Sequence, residues 1–268
     1  MKRNTEKLYY GYKLNTYISV GLIGIGAVCI ALAIAFTLLA YSIWVLVLCW
    51  VLGVILLILG LFYHFSMTAI AIPAKLKIIV DNFLEILKNI WDGKGKVLDI
   101  GTGNGQTAVM VASQYPEAQV IGVDTWTKIW KAFGQTKASA EENAKLVKVD
   151  SRCIFQHGNA LDLPFQDGEF SLVVSNSVFH EISVPDRTVL LKEAVRVLSP
   201  GGTLAIFDWF SIKSYKVSNV TELLQKVEQL GVEDVKFTTL KELGINLGGL
   251  SSIWSFAFLT GRKKANQG

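Results

Sequence analysis

Residues 97–105 read VLDIGTGNG. A short apolar run carries one acid, and three glycines then alternate with small polar residues. Glycine at this spacing brings a backbone close to a ligand, because it lacks the Cβ that would hold a neighbour away. The stretch ends a candidate strand, Lys96–Ile100, and opens a candidate helix, Asn104–Tyr115. In an open parallel sheet, ligands bind outside the carboxyl ends of the strands, so the placement suits a nucleotide-type ligand. The spacing narrows the choice. A dinucleotide loop reads G-x-G-x-x-G, and here Gln106 stands where the third glycine belongs. No G-K-S/T follows, which removes a P-loop. Asp99 would repel a pyrophosphate and suits a ligand that carries an ammonium group and no phosphate.

Outward from this loop, strands and helices alternate. Ala118–Val123, Cys153–Gln156, Phe170–Ser175 and Thr203–Asp208 read as strands, and Val235–Thr239 and Trp254–Thr260 as two closing strands. Ala138–Val149, Asp186–Leu198 and Val220–Leu230 read as helices. Asp167-Gly168 and Pro200-Gly201-Gly202 read as turns. The pattern predicts an α/β fold, a mostly parallel sheet covered by helices on both faces. Ahead of it, Leu76, Ile79, Val80, Phe83, Leu84, Leu87 and Ile90 recur at helical spacing in an amphipathic segment ending near Gly93.

The first quarter of the chain is of another kind. The protein has 268 residues, 51% of them hydrophobic and 18% charged, and the apolar excess is concentrated: no Asp, Glu, Lys or Arg lies between Lys13 and Lys75. Ile18–Ala40 and Ile43–Tyr63 each exceed the roughly 18 apolar residues that cross a bilayer core. Tyr41 and Ser42 separate them, so the pair reads as a helical hairpin. Tyr17, Tyr41, Trp44 and Tyr63 lie near its ends, as interface aromatics do. Gly21, Gly24, Gly26, Gly53 and Gly60 would let the two helices approach. Lys2, Arg3, Lys7 and Lys13 against Glu6 make the start basic, which places it, and the domain beyond the hairpin, on the cytoplasmic side. The expected organisation is a basic segment at 1–14, two spans within 15–64 (about 18–40 and 43–63), a linker and amphipathic helix at 65–94, and a catalytic domain at 95–268.

Other residues complete a ligand of the kind the loop requires. S-adenosylmethionine has an amino-acid end, a ribose and an adenine. Asp99 and Gly101, Thr102, Gly103, Asn104 and Gly105 suit the first. Asp124, closing GVD with Thr125 after it, suits the ribose hydroxyls. Asn159 and Ala160, in GNALDLPF, suit the adenine edge. With FSLVVSNSVFHEI and VLSPGG, these motifs stand in an order that resembles the class I S-adenosylmethionine-dependent methyltransferases, in particular the type 11/25-like domain. The resemblance spans about residues 95–210, and the closing strands extend it to the end. It implies a Rossmann-like sheet of seven strands in the order 3-2-1-4-5-7-6, with the last strand antiparallel. It also implies that Ser175 and Asn176 face the methyl donor. Asn159 departs from the commoner acid at its position but keeps a carbonyl oxygen that accepts a hydrogen bond. The hairpin departs from the soluble members and resembles membrane-anchored ones.

On the acceptor side, His180 is the candidate general base; the alternative is that it lines the pocket or caps the next segment, since a sulfonium methyl can be transferred by positioning alone. Asp208 is a second pocket candidate. Cys153 reads as core and His157 as structural. Three cysteines and three scattered histidines point to no disulfide framework and no metal site. Thr125–Lys137 (TWTKIWKAFGQTK) places Trp126, Ile129, Trp130 and Phe133 at i, i+3, i+4, i+7, with Lys128 and Lys131 on the other side. It reads as an amphipathic helix that covers the pocket and touches anionic lipid, or packs on its own domain. The net charge of +4 sits mostly at the amino terminus, so no basic face for nucleic acid is expected. The expected partners are a lipid bilayer and a hydrophobic small-molecule or lipid-like acceptor. A protein or nucleic-acid methyltransferase and a non-catalytic cofactor-binding module remain the alternatives.

Overall fold

The computed structural model describes residues 13–38, 42–70, 73–245 and 256–265. The chain divides into two units. The first consists of α1 (Lys13–Leu38) and α2 (Ile43–Ile70); the second begins at Ile78 and contains the sheet and its helices.

In the first unit the helices run antiparallel and meet through small residues. A Cβ on Gly26 would lie 2.9 Å from the Leu57 backbone nitrogen, and one on Gly60 would lie 3.0 Å from that of Ile23. Gly53 faces Ile30 in the same way, whereas Gly21 and Gly24 face open space. Three of the five glycines therefore serve close packing. The outward surface is apolar: Trp44, Phe62 and Ile43 are 78%, 71% and 64% exposed. Among the described residues, one helical segment is long and apolar enough to cross a membrane, Ile43–Phe62, with a mean hydropathy of 3.1. Among the described residues the apolar run of α1 is Val20–Ala35; the ends of the expected span Ile18–Ala40 lie outside the described side chains. Tyr41 and the basic residues before Lys13 lie outside the described residues.

From Ile78, the part of α3 (Pro73–Ile90) that belongs to the second unit buries the stripe Ile79, Val80, Phe83, Leu84 and Leu87. Each such side chain, fully buried, contributes roughly 1.5–3 kcal/mol. Then β1 (Gly95–Ile100), α4 (Gln106–Gln114), β2 (Ala118–Asp124), α5 (Lys128–Ala132), α6 (Lys137–Leu146), β3 (Cys153–His157), β4 (Phe170–Asn176), α7 (Thr188–Val197), β5 (Leu198–Trp209), α8 (Val220–Gln229), β6 (Val232–Thr239) and β7 (Phe256–Lys263) follow. The seven strands form one sheet in the order β3-β2-β1-β4-β5-β7-β6. Neighbours from β3 to β5 pair parallel, and β7 pairs antiparallel with both β5 and β6. The order and the antiparallel seventh strand agree with the sequence reading.

The core fills the space between sheet and helices. Leu190, Leu191, Ala194 and Val195 of α7 and Leu223 and Val227 of α8 pack with Leu204, Ile206 and Leu259 of the sheet. Cys153 is buried in the same sense, and burial pushes its thiol up to about 12. His157 is exposed at the end of β3, so it is not an internal support. The Pro200-Gly201-Gly202 stretch lies inside β5: pairing with β4 jumps from Phe170↔Leu198 to Leu172↔Thr203, leaving an irregular insertion where a turn was expected.

Candidate functional site

The glycine loop connects β1 to α4 at the carboxyl end of the sheet. Gly101, Gly103 and Gly105 all have positive φ, 72°, 55° and 77°, a region that costs a residue with a Cβ. At Gly101 space is also decisive, because an added Cβ would fall on the Val178 side chain. Gly101 and Thr102 N–H donate to the Val123 carbonyl at 2.8 and 3.0 Å, which ties the loop to β2.

Asp99 lies under this loop rather than on its crest. It is 1% exposed, and its Oδ2 accepts from the Thr102 hydroxyl at 2.7 Å and the Ala108 N–H at 3.1 Å. Burial pushes its carboxyl up to about 7, against the lowering effect of those two hydrogen bonds. It thus supports the loop and the first turn of α4 from below. Thr102 and Asn104 are also buried. Asn143 of α6, wholly buried, donates from Nδ2 to the Asn104 carbonyl at 2.9 Å. Gln135 approaches the loop crest, where its Oε1 would meet a Cβ on Gly103. Neither Asn143 nor Gln135 was singled out by sequence. A buried Asn beside Ala140 and Ala144 on one helical face was the available signal.

Asp124, ending β2, binds two segments at once. Its Oδ2 accepts the Gly103 N–H at 2.9 Å and its Oδ1 the Trp126 N–H at 2.7 Å. The Trp126 indole N–H in turn donates to the Gly103 carbonyl at 2.7 Å. Trp126 is 6% exposed and has φ 42°. It therefore belongs to the loop scaffold and not to an amphipathic face. The helix expected over Thr125–Lys137 is reduced to α5, on which Ile129 and Trp130 are exposed. The physical reason is the left-handed turn at Trp126, which breaks the helical register before Ile129. Thr125 is exposed beside Asp124.

Along the neighbouring strand ends, Asn159 is exposed and its Oδ1 accepts the Leu161 N–H at 3.0 Å, while Ala160 is buried. Ser175 is wholly buried and donates to the Ile100 carbonyl at 2.9 Å, so it fastens β4 to β1 rather than facing a ligand. Asn176 is partly exposed and donates to the Thr107 hydroxyl at 3.2 Å.

After β4, residues Phe179–Glu181 form a single 3₁₀ turn. Asp208 of β5 organises it. This carboxylate is wholly buried, so it is not a pocket wall. Oδ2 accepts the Val178 and Phe179 N–H groups at 3.1 and 2.6 Å. Oδ1 accepts the His180 and Trp209 N–H groups at 3.2 and 2.6 Å and lies 2.7 Å from His180 Nδ1. The other ring nitrogen, Nε2, lies 3.1 Å from Glu181 Oε1. Burial pulls the imidazole pKa down, but the hydrogen bonds and charges of Asp208 and Glu181 outweigh it and push it up to about 9. His180 is therefore a cation near neutral pH, with both ring nitrogens donating. Arg187 closes the cluster by donating to the His180 carbonyl. Among the described residues no group of three or more His, Cys, Asp or Glu is placed to hold a metal ion.

Comparison with known proteins identifies this architecture. Residues 98–206 match the family model described as a methyltransferase domain. That stretch runs from β1 into β5 and resembles a methyltransferase domain. In sequence the chain is similar to 27-O-demethylrifamycin SV methyltransferase of Amycolatopsis mediterranei, 30% identical over 57% of this chain and 52% of that one. It is also similar to demethylmenaquinone methyltransferase of Staphylococcus aureus, 34% identical over 46% of this chain and 47% of that one. The chain thus spans about half the length of the curated relatives it matches. In fold it is similar to Haemonchus contortus phosphoethanolamine N-methyltransferase 2, solved with S-adenosyl-L-methionine. That match has a TM-score of 0.51 at 19% identity over 69% of this chain and 52% of that one.

The residues present fit the cofactor. The glycine cradle would be closed by a Cβ at Gly101, it presents no lysine for a phosphate, and an acid stands beside it at Asp124. Gly101, Gly103 and Asp124 would hold the cofactor, with Asn159 and Asn176 at the flanks.

Proposed function

We propose that the protein is a membrane-anchored S-adenosylmethionine-dependent methyltransferase acting on a hydrophobic small-molecule or lipid-like acceptor, with its catalytic domain on the cytoplasmic side. When bound, the cofactor supplies an electrophilic methyl group on a sulfonium. The protein's part is to hold that methyl in line with an acceptor. Asp124 fixes the loop crest through Gly103 and Trp126 and offers its remaining lone pairs to the ribose hydroxyls. The 3₁₀ turn at His180 follows Val178, which packs against Gly101, so the acceptor side is registered to the cofactor side by direct contact.

The observation that carries the acceptor class is the first unit. Its helices expose Trp44, Phe62, Ile43 and Ile58 around a glycine-packed seam, a surface suited to hydrocarbon and not to water. An anchor of this kind raises the effective concentration of the domain toward acceptors dissolved in the same membrane. The relatives named for demethylmenaquinone and demethylrifamycin support the small-molecule reading.

The test has two arms. Washed membranes from cells expressing the protein should retain it after carbonate extraction, and deletion of residues 1–64 should release it. Methyl-labelled cofactor given to those membranes should place label in the organic-solvent extract. Label confined to the protein or nucleic-acid fraction would replace the acceptor class, and failure to bind the cofactor would remove the enzyme.

A further inference from the structure

Within the acceptor side, His180 is placed to do something other than remove a proton. Its ring is fixed from one side by Asp208, which accepts Nδ1 at 2.7 Å and is itself wholly buried under five hydrogen bonds. On the other side, Nε2 points to Glu181, whose side chain is 44% exposed against 16% for His180. The two carboxylates are therefore unequal. Asp208 is a permanent partner held by the strand, and Glu181 is a surface partner that an incoming group can displace. Two partly exposed aromatic rings flank the imidazole: Trp209 at 6.2 Å and Phe256 at 6.1 Å between centroids, both nearly perpendicular to it. Phe207 stacks on Phe256 at 5.5 Å and backs that side of the site.

We infer that His180 binds the methyl acceptor as an anion, receiving the ionised oxygen of an aromatic or conjugated hydroxyl (a phenolate or enolate) at Nε2 in place of Glu181, with the acceptor's ring against Trp209 and Phe256. The inference rests on the methyltransferase reading and names the acceptor chemistry of that same site. Transfer to oxygen balances without a base; after attack through carbon, the proton on that carbon leaves to solvent as the conjugation is restored. An electron pair of the anion, on oxygen or on the conjugated carbon, forms the bond to the methyl carbon. The methyl carbon–sulfur bond breaks and its pair stays on sulfur, leaving a neutral thioether and, for attack through oxygen, a neutral ether. No proton moves during transfer to oxygen. His180 N–H steadies the anion and must not quench it, which an imidazolium locked by Asp208 does better than a free one. Among the described residues, the other charged or titratable groups facing this cluster are Arg187, donating to the His180 carbonyl, and the buried Tyr215 phenol beside Asp208 and Arg187.

The experiment uses the full chain in detergent with S-adenosylhomocysteine present. The probe is 4-nitro-1-naphthol, whose ionised form has its own absorbance band, and 4-nitro-1-naphthylamine serves as an uncharged control of the same shape. Binding to the protein is expected to lower the probe's apparent ionisation pH by about one unit, equivalent to a tenfold preference for the anion. His180→Gln retains a donor but not the charge. It should abolish that shift while leaving the affinity for S-adenosylmethionine within about twofold, which also shows that the variant is folded. With a methylatable phenol as acceptor, the rate should fall above about pH 9 as His180 loses its proton. A probe ionising at the same pH bound and free, a shift that survives in His180→Gln, equal binding of 4-nitro-1-naphthylamine, or a rate that climbs through pH 9 would each overturn the inference. Retained cofactor binding and label in the membrane extract would still uphold the broader function.

Discussion

Asp124, at the end of β2, and Asp208, in β5, both gather backbone N–H groups at the carboxyl edge of the sheet, but to different ends. Asp124 stays partly exposed and accepts two N–H groups, one from each of two loops, so its carboxylate keeps capacity for a ligand. Asp208 is wholly buried and fully committed to one 3₁₀ turn and one histidine. On the proposed function, the cofactor side is a backbone scaffold with an acid at its rim, and the acceptor side is a charge cluster with an acid at its root. A ligand common to a whole class of enzymes can be met by backbone geometry. An acceptor particular to one enzyme is met by side chains whose charge is set locally.

Removal of the root should have the largest effect. Asp208→Asn turns part of an acceptor-only group into a donor facing five donors, and leaves a buried imidazolium without its counter-charge. A loss of about 3 kcal/mol in unfolding free energy is expected, measured by urea titration of the purified protein. The His180 ring, followed by NMR, should then titrate well below its present value of about 9. A histidine that titrated unchanged in the variant would break the distinction between root and rim.

Asp124→Ala comes next. Two hydrogen bonds to a charged group are lost together with the proposed ribose contact, so affinity for S-adenosylmethionine should fall about 100-fold by calorimetry. The His180 titration should not move, because Asp124 takes no part in that cluster. An equal disturbance of both sides would show them to be one cooperative unit.

What was legible in the sequence follows the same division. VLDIGTGNG and Asp124 could be read because close backbone approach demands glycine and because strand-end acids recur at fixed points of the fold. The sheet order followed from the family resemblance that those motifs carry. Trp126 was misassigned, since helical spacing alone cannot reveal a left-handed residue that turns its ring inward. Ser175 and Asp99 were taken for ligand contacts because spacing places a residue at a strand end without saying which face it presents. The pairing of His180 with Asp208 spans 28 positions and exists only because β4 and β5 are neighbours. In the first unit, composition displayed the apolar run at once, but which glycines pack depended on helix rotation: Gly26 faces the partner helix and Gly24 does not.

A third test exploits charge directly. His180 is about 6.5 when unfolded and about 9 when folded. The native state therefore holds more protons than the unfolded state between those values, and stability must fall as pH rises through that window. The contribution is complete below about pH 6.5 and gone above about pH 9. Its size is on the order of 2 kcal/mol, once the solvent-facing Glu181 side is discounted. Asp99, raised from 3.8 to about 7, also lowers stability with rising pH, but across a lower window. The difference between wild type and His180→Gln isolates the histidine. A flat difference curve from pH 6.5 to 9 would mean that the cluster is not ionised as its geometry requires.

The smallest effect tests where the boundary between the two sides runs. Ser175 sits on β4 within the motif that leads to His180, yet its hydroxyl donates to the Ile100 carbonyl of β1, directly before the glycine loop. It belongs to the seam beneath both sides. Ser175→Ala removes one buried hydrogen bond and leaves a carbonyl short of a partner, at a cost of about 1 kcal/mol. Because the side chain is wholly buried, cofactor affinity should change by less than about twofold. Asn176→Ala, one residue further and partly exposed, should do the reverse: little loss of stability and a measurable loss of cofactor affinity. The two neighbours point to opposite faces of one strand, so the pair of measurements fixes the register of β4 against the ligand. If Ser175→Ala weakened the cofactor more than Asn176→Ala did, β4 would have to present its other face, and His180 would no longer stand at the acceptor side.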